Sequence, residues 1–273
     1  MSASVLQEAV AGALATGTTA ATPAFAAMCT IGSTIEVWVG AGGISVPASV
    51  ADSASQSYTL QGSVHNAHSG STLSLWTLEN NQSATALTIT ATFSASATNC
   101  GAWAKEIGGV TASPLQGTPT LVYLTTPGTG VNAITTGSIT PTTQPLVMSA
   151  LVMCANAAVV ATDTAAIAGD TGWTNAGHAN GRSESYQLTS TAATAANFTD
   201  STNGATGYYL VGAALYTGSG LVSQPILSGG KLLISGGHII TGALFLPIAW
   251  TINRRNKLAQ ERRSSPSSLQ RRR

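Results

Sequence analysis

The sequence predicts an all-β fold, a jelly-roll-like two-sheet β-sandwich, from three observations. Between residues 22 and 218, short segments alternate apolar with polar residues at the two-residue period of a β-strand. Clusters of Gly, Asn, Ser and Pro such as "ENNQSA", "TTPGTG" and "STNGATG" separate these segments, as turns do. The same region shows almost no helical periodicity, and its length favours a jelly roll over an immunoglobulin domain.

About ten short strands are predicted. In chain order they cover residues 34–40, 55–65, 71–80, 86–94, 100–109, 120–126, 133–140, 145–154, 184–191 and 207–217. Within the segment "STLSLWTLEN", the alternation predicts that Leu73 and Leu75 share one face of the sheet, with Trp76 and Leu78 on the other. Thr-rich faces such as that of "ALTITATFS" suit strands, since β-branched side chains fit the pleat.

The chain is predicted to have three parts: an N-terminal arm over 1–21, the sandwich over 22–218, and a C-terminal segment over 219–273. In the arm, "SASVLQEAVAGALATG" predicts one short helix, with Ser2 or Ser4 as N-cap and Gly17 as its stop. A secretory signal is not expected, because no Lys or Arg precedes the apolar run and Glu8 lies within the region.

Charge is scarce and unevenly distributed. Charged residues make up 8% of the chain, against about 25% in ordinary soluble domains. Residues 1–230 carry a net charge of −7, and residues 231–273 carry +8. A freely diffusing enzyme is usually more charged than this body. The basic tail predicts contact with an acidic partner surface, anionic lipid or nucleic acid, although a solvated tail is the simpler alternative.

The segment from Leu232 to Ile252 has no formal charge and is followed by arginines. Its length of about 20 residues allows a membrane span. However, Gly236 and Gly237 separate two β-prone runs, which indicates a hairpin, and Pro247 suits a bend or an edge. We therefore expect an apolar hairpin that docks on another chain, with a membrane anchor as the alternative. The expected docking residues are Leu232, Leu233, Ile234, Ile239, Ile240, Leu244, Phe245, Leu246, Trp250, Arg254, Arg255 and Lys257.

Few residues indicate a chemical site. No P-loop, nucleophile-elbow or dinucleotide-binding motif is present, and Cys29, Cys100 and Cys154 are too far apart for a zinc site, so they are expected to be buried thiols. A catalytic pair of Glu36 and Glu106 is disfavoured. Glu106 follows Lys105, so these two neighbours point to opposite faces, and Glu106 is expected to accept hydrogen bonds at a sheet margin.

Two residues are candidates for ligand binding. Trp173 lies in the predicted loop "DTGWTNAGHANG", where it could stack on a sugar, and His178 lies in the same loop. No catalytic residue, metal or cofactor is predicted.

The order of segments resembles that in β-sandwich domains of tailed-bacteriophage virion proteins and of some bacterial surface proteins. In those domains an Asp-Ser turn leads into a Tyr-containing strand, as Asp52-Ser53 leads here to Tyr58. A later strand ends in Glu-aromatic-Ser-Gly-Val, from which "EIGGV" at 106–110 differs at two positions. The resemblance covers about residues 28–218 and brings no catalytic residues with it.

The resemblance implies a structural virion protein of decoration, fibre or minor capsid or tail type, assembled in the host cytoplasm. The expected partners are other virion proteins and further copies of this chain, with a host-surface glycan as a further candidate. Sequence-specific nucleic acid binding is not expected. The alternative functions are a carbohydrate-binding adhesin and a tail-anchored membrane protein.

Overall fold

The computed structural model describes most of the first 219 residues and little beyond them. The described ranges are 3–10, 14–43, 46–67, 70–126, 132–142, 146–154, 167–168, 174–178, 181–188, 192–200, 207–219, 226–228 and 231–233. The chain forms two compact units, Met1–Val222 and Ser223–Arg273. The regular structure in these ranges is all strand, which confirms the predicted all-β class.

The described residues form eighteen strands. They are β1 Ser4–Val10, β2 Ala15–Ala21, β3 Thr34–Gly42, β4 Ser49–Asp52, β5 Thr59–His65, β6 Thr72–Leu78, β7 Ile89–Gly108, β8 Val110–Leu115, β9 Thr120–Thr126, β10 Asn132–Thr135, β11 Leu146–Cys154, β12 Ile167–Ala168, β13 Thr174–His178, β14 Gly181–Leu188, β15 Asn197–Asp200, β16 Gly207–Gly218, β17 Ile226–Ser228 and β18 Lys231–Leu233. Every ladder between these described strands is antiparallel, as expected for strands joined by short turns.

The described residues of the first unit form three sheets. Sheet I has the order β1-β7-β3-β6-β5, and β2 and β4 also pair with β7. Sheet II has the order β13-β14-β11-β16-β8, and β9 also pairs with β16. Sheet III has the order β10-β15-β12. This is more than the predicted two-sheet sandwich.

Strand β7 is twenty residues long and joins two parts of sheet I. Its first half, from Ile89, pairs with β2 and β4, and its second half, ending at Gly108, pairs with β1 and β3. The sequence predicted two strands here. Instead, Asn99 adopts a positive φ of 48° beside register shifts in the ladders with β2 and β3, so the strand bends and continues.

Three hydrophobic layers hold the sheets together. The first layer is formed by side chains of sheet I and of the loops next to its strands, and it includes Val37, Trp76 and Ile89. The second lies between sheets I and II and includes Trp38, Leu75 and Leu210. The third lies between sheets II and III and includes Val152, Phe198 and Tyr209. The central strands therefore bury both faces, and this is why a model of one sandwich with a single core is too simple.

Strand β6 shows this division of faces directly. Leu73 and Leu75 belong to the second layer, whereas Trp76 and Leu78 pack in the first. The predicted alternation of these four side chains is confirmed. Both faces are apolar because each faces a different layer.

The predicted N-terminal helix is wrong. Ser4–Val10 is strand β1, which pairs with β7 from Gly108 to Trp103, and Ala15–Ala21 is strand β2. The segment contains good helix formers, but a helix this short is marginal in water, so pairing with the open edge of β7 decides its conformation. Ala3 and Ala9 are buried as a result.

The described part of the second unit is a short hairpin. Strands β17 and β18 pair antiparallel, with Ser228 opposite Lys231 and Ile226 opposite Leu233. Lys231–Leu233 thus pairs with the residues before it. The hairpin predicted about Gly236 and Gly237 lies outside the described residues.

The close approach of sheets I and II at Gly212 gives a test of the second layer. A Cβ added to Gly212 in β16 would overlap the ring of Trp38 in β3, which is fully buried. We expect Gly212→Ala to lower the free energy of unfolding by about 1–3 kcal/mol, the usual cost of overpacking. Urea denaturation measures this. Gly17→Ala is the matched control, because its nearest neighbours would lie 3.9 Å away or more; equal stability of the two variants would contradict the packing described here.

Candidate functional site

Three charged residues form a row across sheet I. Lys105 in β7 lies directly opposite Glu8 in β1 and directly opposite Glu36 in β3. Residues opposite each other on neighbouring strands share a face of the sheet. That face carries Trp38 and Trp103, so the Glu8–Lys105–Glu36 row points into the second layer, among hydrophobic side chains.

A hydroxyl from sheet II completes the row. The Lys105 Nζ donates to the Ser149 Oγ at 2.8 Å, and the Ser149 hydroxyl donates to Glu36 Oε1 at 2.6 Å. The indole Nε1 of Trp38 donates to the same Glu36 oxygen at 2.7 Å. Glu8 Oε1 lies 3.8 Å from the Lys105 Nζ. The row is therefore connected across the layer from β1 to β11.

The row is largely buried, and burial affects the ionisation of Glu8. The side chains of Lys105 and Glu8 are 3% and 16% exposed, and Glu36 is fully buried. Burial raises the pKa of Glu8; Lys105 opposes this rise, and Glu36 adds to it. Two carboxylates around one ammonium would leave one negative charge in excess. The raised pKa of Glu8 favours its protonated form, which removes that excess.

Tyr216 faces the same row. Burial raises its pKa well above the usual value, and the nearby Glu36 carboxylate raises it further. Three atoms here, Tyr216 OH, Glu36 Oε2 and Glu8 Oε1, are buried and make no hydrogen bond to the described residues. Buried polar atoms without hydrogen bonds lower the stability of the fold, and in native proteins they often belong to a reactive or binding site.

Glu106 serves a different purpose on the opposite face. Its Oε1 accepts a hydrogen bond from the backbone N–H of Thr30 at 2.6 Å, and its Oε2 accepts one from Gln7 Nε2 at 2.6 Å. The structure thus shows Lys105 and Glu106 pointing apart, and it does not bring Glu36 and Glu106 together. Glu106 secures the loop before β3, consistent with the contacts expected from the sequence.

The Asp-Ser turn of the resemblance has a clear physical role. Asp52 Oδ1 accepts hydrogen bonds from the backbone N–H groups of Ala54 and Gln56 at 2.9 and 3.0 Å. Its Oδ2 accepts one from the Tyr58 hydroxyl at 3.2 Å. Burial, followed by the charge of Asp52, raises the pKa of Tyr58. The motif is a closed turn that fixes the start of β5.

A polar cleft opens beside β5 and β6. It has a volume of about 370 Å³ and is lined by Ser57, Thr59, Gln61, Thr77, Leu78 and Glu79. Gln61 donates to Thr77 across it at 2.7 Å. Its lining offers hydroxyls, an amide and a carboxylate but no aromatic ring, so it differs from the stacking site predicted around Trp173.

The residues predicted from the sequence as binding sites are largely beyond the described ranges. Trp173 lies outside them. His178 ends strand β13 opposite Gly181, and its side-chain placement is not described. Leu232 and Leu233 lie in β18. The other predicted docking residues, which lie outside the described residues, are Ile234, Ile239, Ile240, Leu244, Phe245, Leu246, Trp250, Arg254, Arg255 and Lys257.

The sequence reasoning missed the Glu8–Lys105–Glu36 row. A signal was present, because Lys105 and Glu36 each interrupt an apolar strand two residues from a Trp. Its meaning depends on the register of three strands that are far apart in sequence, and Glu8 had been assigned to a helix. Cys29 and Cys100 are buried thiols, as predicted; the side chain of Cys154 is not described.

Within the described ranges, no three His, Cys, Asp or Glu side chains are grouped so that they could hold a metal ion. No helix there is long and apolar enough to span a membrane.

Comparison with known proteins gives one weak likeness. No protein-family model matches the sequence, and no curated protein matches it. Among solved structures, the chain is similar to the crystal structure of the major capsid protein P2 from bacteriophage PM2, with a TM-score of 0.24 and 11% identity, covering 80% of this chain and 98% of that chain. A TM-score this low does not establish a common fold, so the interpretation rests on the geometry of this chain.

Removal of the bridging hydroxyl tests whether the row supports the second layer. Ser149→Ala deprives the Lys105 Nζ of an acceptor and Glu36 of a donor inside a hydrophobic layer. We expect the free energy of unfolding to fall by about 1–3 kcal/mol, measured by urea denaturation. Ser63→Ala in β5, where the serine is exposed, is the control and should change stability little. An unchanged Ser149→Ala variant would show that the bridge contributes nothing.

The buried tyrosines predict a loss of stability at alkaline pH. The folded-state pKa values of Tyr58 and Tyr216 are raised, so their stabilising contribution is complete below the unfolded pKa of about 10 and decreases as pH rises above it. We expect the urea midpoint to fall as the pH rises above about 10, and to fall less in Tyr58→Phe and Tyr216→Phe. Tyrosinate absorbance of both residues should appear only with unfolding; early ionisation in the folded chain would disprove their burial.

Proposed function

We propose that this chain is a non-enzymatic structural protein of a bacteriophage virion, of decoration, fibre or minor capsid or tail type. In this proposal the first unit is the rigid module. The second unit docks it on other virion proteins or on further copies of the chain. Assembly would take place in the host cytoplasm.

The observation that carries the proposal is where the charges of the first unit lie. Among the charged side chains that the structure describes in this unit, Glu36, Asp52, Lys105 and Glu106 are buried, and Glu8 and Glu79 are partly buried. Each buried one has hydrogen bonds within the unit. Through these hydrogen bonds, the charged groups hold sheets, turns and loops in place. Surface from which charged side chains are withdrawn in this way can pack closely against neighbouring subunits without desolvating charge.

The second unit combines a basic charge with a long uncharged stretch. Residues 231–273 carry a net charge of +8 and include the uncharged stretch from Leu232 to Ile252. Apolar surface contributes affinity and the arginines after it contribute attraction to acidic groups, such as the body of another copy, which carries −7 over residues 1–230. Docking by this unit accounts for both halves of the charge asymmetry.

Two other functions make different demands on the same residues. A carbohydrate-binding adhesin would use Trp173 and the loops near it, or the polar cleft beside β5 and β6. A tail-anchored membrane protein would place Leu232–Ile252 in lipid. Docking is preferred because a hairpin signal at Gly236 and Gly237 would leave backbone groups unsatisfied in a lipid environment.

Truncation at the boundary between the units tests the proposal. We expect the full chain to assemble or to bind purified particles, and the chain ending at Val222 to remain folded but monomeric, as measured by sedimentation velocity and circular dichroism. A full-length control with Arg254, Arg255 and Lys257 changed to Gln should assemble more weakly and lose its dependence on salt. Normal assembly of the truncated chain would contradict the proposal. Flotation of the full chain with lipid vesicles would favour the anchor, and glycan-array binding lost on Trp173→Ala would favour the adhesin.

A further inference from the structure

The contact between Lys105 and Glu8 is unusual for an ion pair. The Nζ and Oε1 atoms are 3.8 Å apart, which is too far for a hydrogen bond, and Oε1 makes no other hydrogen bond to the described residues. Both groups are held in a hydrophobic layer. They lie directly opposite each other in the β1–β7 ladder, so the backbone fixes their approach.

The other carboxyl of the row is placed as a proton acceptor for the same lysine. The Lys105 Nζ donates to Ser149 Oγ, and the Ser149 hydroxyl donates to Glu36 Oε1. This gives a continuous path for a proton from the ammonium to Glu36. Because Glu36 Oε1 also accepts from Trp38, the carboxyl is fixed in this orientation.

We propose that Lys105 and Glu8 condense to form a covalent side-chain amide that joins β1 to β7, with Glu36 taking the lysine proton through Ser149. This is a modification site within the first unit, and it requires no external reagent. The inference is independent of the proposed function, since it concerns only how the first unit is held together.

The reaction balances with groups that the row contains. The Lys105 ammonium gives one proton to the Glu36 carboxylate through Ser149 and becomes a neutral amine. The amine lone pair attacks Cδ of the protonated Glu8 carboxyl, so a C–N bond forms. The C–O bond to the Glu8 hydroxyl then breaks, and the hydroxyl leaves as water with a proton from the attacking nitrogen. Nothing is oxidised or reduced, and the net charge of the three side chains is zero before and after.

The row supplies both reactants in their reactive forms. A carboxylate is a poor acceptor for a nucleophile, and an ammonium is not a nucleophile. Burial raises the pKa of Glu8 and so favours its neutral acid form, and the path through Ser149 to Glu36 removes the lysine proton. Glu8 and Lys105 lie opposite each other on paired strands, so they are held close together, and such proximity makes an intramolecular reaction fast.

Glu8 is the acceptor that the geometry selects over Glu36. Glu36 Oε1 is occupied by two donors, Ser149 and Trp38, whereas Glu8 Oε1 has no hydrogen-bond donor among the described residues. Strand β1 is also the edge of sheet I and is held by β7 alone within the main strand order. The amide would fasten that edge strand to the sheet.

Mass spectrometry of the full-length, fully denatured chain tests the proposal directly. Lys105 is the first Lys or Arg in the sequence and Arg182 is the second, so trypsin should release peptides 1–105 and 106–182 from an unlinked chain. Acylation of Lys105 blocks that first cut. We expect one peptide, 1–182, lighter than its sequence by the mass of one water molecule. Release of the two separate peptides at full mass would overturn the proposal, as would fragmentation that places the link on Glu36.

Three variants separate the link from correct folding. Glu8→Ala and Lys105→Arg should show the full sequence mass. Glu106→Gln is the matched control, because it lies next to Lys105 on the opposite face and should keep the loss of water. A loss of water that persists in Glu8→Ala would overturn the assignment to this pair.

A test of Glu36 as proton acceptor must measure a quantity that would stay the same if Glu36 were only a structural residue. Glu36→Gln keeps an oxygen that can accept from Ser149 and Trp38 but cannot take a proton. In freshly synthesised chain we expect the amide to form about 10²–10⁴-fold more slowly than in the wild type, with an unchanged circular dichroism spectrum and a lost pH dependence of the rate. Formation at the wild-type rate would show that Glu36 takes no part.

Discussion

One buried lysine constrains the centre of the first unit. Lys105 projects into the hydrophobic layer between sheets I and II, where an unpaired ammonium would be very unfavourable. The layer can close only because β1 and β3 each place a glutamate opposite it and β11 supplies the Ser149 hydroxyl. One set of contacts thus depends both on the register of β1, β3 and β7 and on the relative position of sheets I and II. A shift of β3 by one residue would turn Glu36 away and leave the lysine partly unpaired.

The long strand β7 is what brings these requirements together. Its first half closes the first layer with β2 and β4, and its second half carries Trp103, Lys105 and Ile107 into the second layer. Because β7 alternates its side chains, Glu106 necessarily points the other way, where it secures the loop at Thr30. A single strand therefore coordinates two layers and a loop.

The local sequence pattern was enough to predict most strands, but it did not predict how the strands pair and pack into layers. The alternation in "STLSLWTLEN" correctly assigned Leu73 and Leu75 to one face and Trp76 and Leu78 to the other, since that depends only on the pleat. Strand β1 was missed because seven residues are too few for helix propensity to decide their conformation, so they adopt the one that pairing with β7 imposes. The number of layers and the Glu8–Lys105–Glu36 row depend on pairing between residues about seventy to a hundred positions apart, which one sequence does not specify.

The distribution of charge links this architecture to what the chain can do. Fixing Glu36, Asp52, Lys105 and Glu106 inside the first unit removes them from its surface. The +8 of residues 231–273 is the largest concentration of charge in the sequence. In the proposed docking function, the buried charges would stabilise the body and the basic unit would make the contacts. Packing against the described surface of the body would then desolvate few charges, and the attraction of the basic unit for acidic groups would depend on salt.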